Sequence, residues 1–103
     1  MSRGPDAATL LTRRLQIAAD AAGQALTIGD TVSVPWASAT FSGERHRLTV
    51  SGSGPTFEHW LQSLPEADLP LRGHLVADLA LLAVAVDHDS VRADIEVLTV
   101  EDR

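Results

Sequence analysis

A chain of 103 residues with 45% apolar and 21% charged side chains has the size and content of one globular α+β domain, residues 1–103, with a core large enough to need no disulfide or metal. Cysteine is absent, which removes zinc ribbons, cysteine nucleophiles, redox motifs and iron–sulfur sites. The formal net charge of −6 has the wrong sign for phosphate neutralisation, so nucleic acid is excluded as the expected partner.

Residues 7–22 carry Leu11, Leu15, Ala18 and Ala22 at the repeat of one helical face, with Pro5 and Asp6 suited to the first turn and Gly23 to the stop. Leu26 and Ile28 are expected to pack back as the chain leaves this helix. The β-branched residues 31–34 are interrupted by Pro35, residues 36–41 resume as a strand, and Ser42-Gly43-Glu44 signals a turn. Beyond it His46, Leu48 and Val50 alternate with Arg45, Arg47, Thr49 and Ser51, so residues 36–51 read as a β-hairpin. Gly52-Ser53-Gly54-Pro55 breaks this pattern. Thr56 is then placed to cap a short helix whose Phe57, Trp60, Leu61 and Leu64 share one core-facing stripe.

After a loop over residues 65–70 comes the strongest β signal, residues 73–86, which turns at Asp87-His88-Asp89-Ser90 and returns as residues 91–101. On the return strand Val91, Ala93, Ile95 and Val97 face one way and Arg92, Asp94 and Glu96 the other. Leu98 and Val100 fall on that second parity, which requires either a bulge or a stretch buried on both faces. Fourteen extended residues span ~46 Å, whereas a compact sphere of this chain length is ~33 Å across. The hairpin therefore either bends or projects, and a projecting tip would be an arm for a partner. The order helix, strand, strand, helix, strand, strand implies two helices on a mainly antiparallel sheet of four or five strands.

Four histidines are the obvious candidates for chemistry, but none lies in a spaced ligand pair, and no metal ligand is assigned from spacing alone. His46 alternates with core residues and reads as a half-buried core histidine. Asp87, His88 and Asp89 form the best local cluster, in a turn whose residue types are already explained by backbone hydrogen bonding. Asp78 lies inside the apolar strand, where a buried carboxylate needs a partner such as Arg72 or Arg92. Gathered with His46 and His74 in a pocket, it would instead be placed for acid–base work, although an edge or outward-facing position accounts for it more simply. The strand–turn–helix over residues 50–57 lacks the Lys of a phosphate-binding loop, Pro55 removes an N–H donor, and no Gly-x-Ser-x-Gly elbow exists.

All eight basic residues are Arg, and Lys, Asn and Tyr are missing, which points to a GC-rich bacterial genome more than to guanidinium chemistry. Residues 1–51 carry a net +1 and residues 52–103 a net −7, a split that favours contact between copies or simply provides a solvated acidic face. The longest apolar run, residues 79–86, is far short of the ~20 residues of a bilayer span. Residues 1–6 show no secretory pattern, so a cytoplasmic setting away from membranes is expected.

The run Glu44-Arg45-His46-Arg47-Leu48-Thr49-Val50, the helix after it, Leu69-Pro70-Leu71-Arg72-Gly73-His74-Leu75-Val76 and the closing Val97-Leu98-Thr99-Val100-Glu101 together resemble a known pattern. In order and spacing they are similar to the small tail-terminator or tail-completion proteins of tailed phages and gene transfer agents. The resemblance covers residues 44–101; before Trp36 the chain lacks the Pro- and Tyr-containing strand of that pattern. It implies a ring-forming, non-enzymatic protein that caps a tail tube, and it carries over no catalytic residue. The expected function is thus a non-catalytic module acting as a homo-oligomer or on a protein partner, with no cofactor and with Asp87, His88 and Asp89 as a candidate contact tip. The alternative is a small ligand- or metal-binding protein or enzyme using His46, His74 and Asp78.

Overall fold

Asp6 opens the first helix, α1 (Ala7–Ala21), by accepting the Thr9 N–H on its carboxylate at 2.9 Å, which satisfies one of the orphan donors of the first turn. The structure, a computed structural model, describes residues 6–102, so the expected role of Pro5 lies outside the described residues. At the other end Gly23 takes φ +71, and the Gln24 and Gly23 N–H groups return to the carbonyls of Ala19 and Asp20. That paired return is the left-handed glycine stop the sequence called for. The buried row is Ala7, Leu11, Leu15 and Ala19, with Ala18 only partly covered and Ala22 exposed. The expected row through Ala18 and Ala22 is thus replaced by strict i, i+4 spacing, whose small ends let the helix lie close on the sheet.

Four antiparallel strands follow: β1 (Thr27–Ala37), β2 (Ser42–Ser53), β3 (His74–Asp87) and β4 (Ser90–Glu101), ordered β1-β2-β4-β3. A short helix, α2 (Phe57–Ser63), and a 3-10 turn over Leu64–Glu66 connect β2 to β3. This is the α+β order expected. The first hairpin differs in detail, because β1 starts at Thr27, runs through Pro35 without interruption, and turns at residues 38–41 rather than at Ser42-Gly43-Glu44. Pro35 is tolerated because β1 is an edge strand, where a missing N–H on the unpaired side breaks no ladder bond.

β4 is the central element. It pairs with β2 without a shift from Gly43↔Val100 to Ser53↔Ser90, so Leu98 and Val100 sit half-buried on the second face with no bulge in β4. The bulges lie in β3 instead, between Val76 and Asp78 and between Leu81 and Ala83. Each adds a residue to β3 and swaps the faces of everything beyond it. Both helices cover one face only: Leu11, Leu15, Phe57, Leu61 and Leu64 pack on Leu48, Val50, Leu79, Ala93, Ile95 and Val97.

The extents are 45 × 24 × 23 Å. A strand of 14 residues fits only along the long axis, so the fold resolves the length conflict by elongating as a whole. The second hairpin is not a detached arm, because β4 stays paired to β2 up to its first residue.

Thr56 precedes α2, but its side chain makes no cap bond; its hydroxyl accepts instead from the Gln24 amide at 2.8 Å. The seat of α2 is set by Gly52, where any Cβ would run into the fully buried Phe57 ring. Gly52→Ala is therefore expected to lose about 1–3 kcal/mol of stability in urea unfolding by displacing that ring. A variant as stable as the parent would show that the β2–α2 junction is not tightly packed.

Candidate functional site

The inward face of β2 begins with His46, the only histidine among the described residues that is fully buried. Its Nδ1 lies 2.7 Å from Ser33 Oγ on β1, and its Nε2 lies 2.9 Å from Thr99 Oγ1 on β4. Thr99 in turn donates to the Glu44 carbonyl at 3.3 Å. Because the Thr99 proton is committed there, the network assigns the ring proton to Nε2, which donates to Thr99, while Nδ1 accepts from the Ser33 hydroxyl. Three strands are thus stitched by one chain of donors and acceptors.

Burial pushes the His46 imidazole below its ordinary value, against the raising pull of Glu44 and Asp6 and with His74 assisting the decrease. The ring is neutral and both its nitrogens are occupied. The Ser33–His46 pair has the contact of a nucleophile with its base, and Ser33 lines none of the four cavities described below.

His74 opens β3 and pairs across from Glu101. It lines a cavity of about 490 Å³ with Pro35, Trp36, Ser42, Glu44, Thr99 and Glu101, among others. Two buried polar atoms here, Trp36 Nε1 and His74 Nδ1, have no hydrogen-bond partner. Asp78 is elsewhere. The bulge after Val76 turns it onto the outer face opposite Leu98, where it is exposed, whereas His46 lies opposite Val97 on the inner face. The grouping of Asp78 with His46 and His74 does not form; without the bulge, strand alternation would have aimed this carboxylate into the core. Nor do Arg72 and Arg92 pair with it, since the ion pairs among described residues join Arg45 and Arg47 to Glu96, and His88 to Asp87.

The turn at Asp87, His88 and Asp89 is fully in solvent, with the His88 backbone in the left-handed region at φ 57 and the His88 and Asp87 side chains 94% and 90% exposed. His59 is exposed on α2. Among the described residues no group of three or more His, Asp or Glu stands close enough to hold a metal ion, and no helix is long and apolar enough to cross a membrane. Three further cavities lie between α1 and β1 at about 420 Å³, beside Phe41, Leu75 and Val100 at about 250 Å³, and around residues 67–71 at about 260 Å³.

Sequence pattern alone missed Ser33, Trp36, Glu44, Thr99 and Glu101 as members of these sites. Thr99 had a readable signal, because it continues the core parity of Val91, Ala93, Ile95 and Val97. Trp36 and Ser33 had none, since β1 is exposed along most of its length.

No protein-family model matches the chain, and no curated protein matches it. Among solved structures, a chain of the "virion of native gene transfer agent (GTA) particle" superposes with a TM-score of 0.48 at 16% identity, covering 94% of this chain and 96% of that one. A likeness of this depth carries no argument about what the present chain does.

Two outcomes are expected from the His46 chain. Thr99→Val strands the buried Nε2–H without an acceptor and should cost about 1–3 kcal/mol in denaturant unfolding. The folded-state depression of His46 means that stability is fully present above pH 6.5, the value of the unfolded group, and is lost as pH falls through the folded value. Unfolding midpoints measured between pH 8 and 4 should fall on acidification, and His46→Gln should flatten the part of that fall due to this residue; an unchanged profile would sink the assignment.

Proposed function

We propose that this chain is a non-catalytic assembly module whose copies associate head-to-tail, with the β3 edge of one copy taking β1 of the next. The observation that carries this reading is the far half of β3. Residues 82–87 are exposed, including Leu82, Val84 and Val86 at 46%, 37% and 54%, on a strand that has no neighbour on its outer side. An unpaired edge presents a row of free N–H and C=O groups, and long apolar edges without Lys or Pro are pairing surfaces. Between Asp78 and Asp87 this edge has no charge at all.

A second copy offers the matching surface. β1 is the other free edge, and its stretch ahead of Pro35, with Val32 and Val34 exposed at 61% and 57%, keeps N–H groups for such pairing, whereas Pro35 itself has none to offer. It belongs to the half of the chain with net +1, whereas β3 belongs to the half with net −7. Edges on opposite sides of one sheet form a heterologous contact, which closes into a ring if the rotation per copy allows it. A ring is also what the sequence resemblance to tail-terminator proteins implies, with this chain as a structural component of a tail-like particle.

Native mass spectrometry and light scattering should find an oligomer. The double variant Leu82→Lys, Val84→Lys should reduce it to monomer at unchanged circular dichroism, because both positions are already exposed. A parent chain that stays monomeric at high concentration, or variants that still associate, would overturn edge pairing. A monomer retaining a bound small molecule or metal would favour the ligand-binding alternative.

A further inference from the structure

The two free edges of the sheet share an irregularity that the two inner strands lack. Two rows of partnered residues cross the inner face, Thr31–Leu48–Ile95–Leu81 and Ile28–Val50–Ala93–Val84. Between these rows β2 and β4 each place one residue, Thr49 and Asp94, whereas β1 places Gly29 and Asp30 and β3 places Leu82 and Ala83. Both edges thus carry their extra residue in the same interval, where each falls out of step with its own neighbour but stays in step with the other edge. The three antiparallel pairings also leave β1 and β3 running in opposite directions. A second copy continued beside the first, with its helices on the same side, therefore meets it as one more antiparallel pair. Set without a slide along the strands, Leu81 lies opposite Thr31 of the next copy and Val84 opposite its Ile28.

This register brings Val84 and Val86, which are exposed yet share the inner face with Ala93 and Val91, to the flank of α1 in the next copy. There α1 and β1 leave the cavity of about 420 Å³ lined by Thr12, Arg13, Gln16, Ile17 and Ile28. Ile17 is 52% exposed, on a helix that buries Leu11, Leu15 and Ala19 in its own core. Arg13 joins no ion pair among the described residues, and the arriving strand has no Arg and ends in Asp87, so the charges are compatible. We propose that this α1–β1 groove seats the far half of β3 from a neighbouring copy, in the register Val84 to Ile28, with Ile17 closing over Val84 and Val86. The inference rests on the head-to-tail reading above and deepens it. Backbone pairing alone accepts any slide that keeps the faces matched; the coincident bulges and the groove select one.

The chain has no cysteine, so mixtures of single-cysteine variants read the register directly. Ile28→Cys mixed with Val84→Cys should give a disulfide-linked heterodimer under mild oxidation, because opposed antiparallel residues stand ~4.5–5.5 Å apart at Cα, within the span of a disulfide. Thr31→Cys, one row away, should not link to Val84→Cys; a heterodimer there in place of the Ile28 one would overturn the register. Ile17→Glu, on α1 and off both edge strands, should weaken association at least about tenfold in sedimentation equilibrium at unchanged circular dichroism, by putting a charge where Val84 and Val86 are to be buried. His59→Glu, exposed on α2, should leave association unchanged. If Leu82→Lys, Val84→Lys abolishes association but Ile17→Glu does not move it and the Ile28–Val84 link fails to form, the groove seat falls while edge pairing stands. A parent chain that stays monomeric overturns both.

Discussion

The unbroken pairing of β4 with β2 is the constraint on which the rest of the molecule depends. Because its register against β2 never slips, Val91, Ala93, Ile95, Val97 and Thr99 all reach the same face. That face is where α1 and α2 must settle to bury Leu11, Leu15, Phe57 and Leu61. Each large apolar side chain so buried contributes about 1.5–3 kcal/mol relative to exposure. The row is therefore the main term favouring this one arrangement. Arg47–Glu96 and Thr49–Asp94 on the opposite face bridge the same two strands at 3.0 Å each, in solvent, where such pairs add little.

β3 absorbs the mismatch that this regularity creates. It has 14 residues against the 12 of β4, and its two bulges take up the difference. The first bulge frees Asp78 from the core and returns Leu79 to it, so a carboxylate in an apolar strand needs no buried partner. Beyond the second, residues 82–87 are exposed and the strand is an apolar edge. Stability of the near half and availability of the far half thus come from the same device.

At the other end of the sheet the inner face turns polar. His46 and Thr99 occupy positions that continue the apolar rows of β2 and β4, and they are tolerable there because Ser33 and the Glu44 carbonyl complete their hydrogen bonds. A satisfied chain of this kind fixes strand register, since a slip of one residue would leave His46 without either partner. Next to it, the cavity walled by Trp36, Glu44, His74 and Glu101 has the opposite character, with polar atoms buried and left unpaired. One cluster is complete within the chain; the other leaves Trp36 Nε1 and His74 Nδ1 without partners among the described residues.

Periodicity by itself determined the element order, the α1 stop at Gly23, the inward rows of β2 and β4, and the core stripe of α2, because these follow from backbone geometry within a few residues. It placed the first hairpin turn too late, since Pro35 breaks a strand only where the lost N–H is needed, and that depends on β1 being an edge. The grouping of His46, His74 and Asp78 likewise lay beyond the sequence, because one bulge residue decides which face Asp78 takes. Only the tertiary structure could bring Ser33, His46 and Thr99 into one chain across three strands, or Trp36 and Glu101 around one cavity. Hydrogen bonds and cavities between strands depend on register, and register is set by packing the whole sheet against its helices.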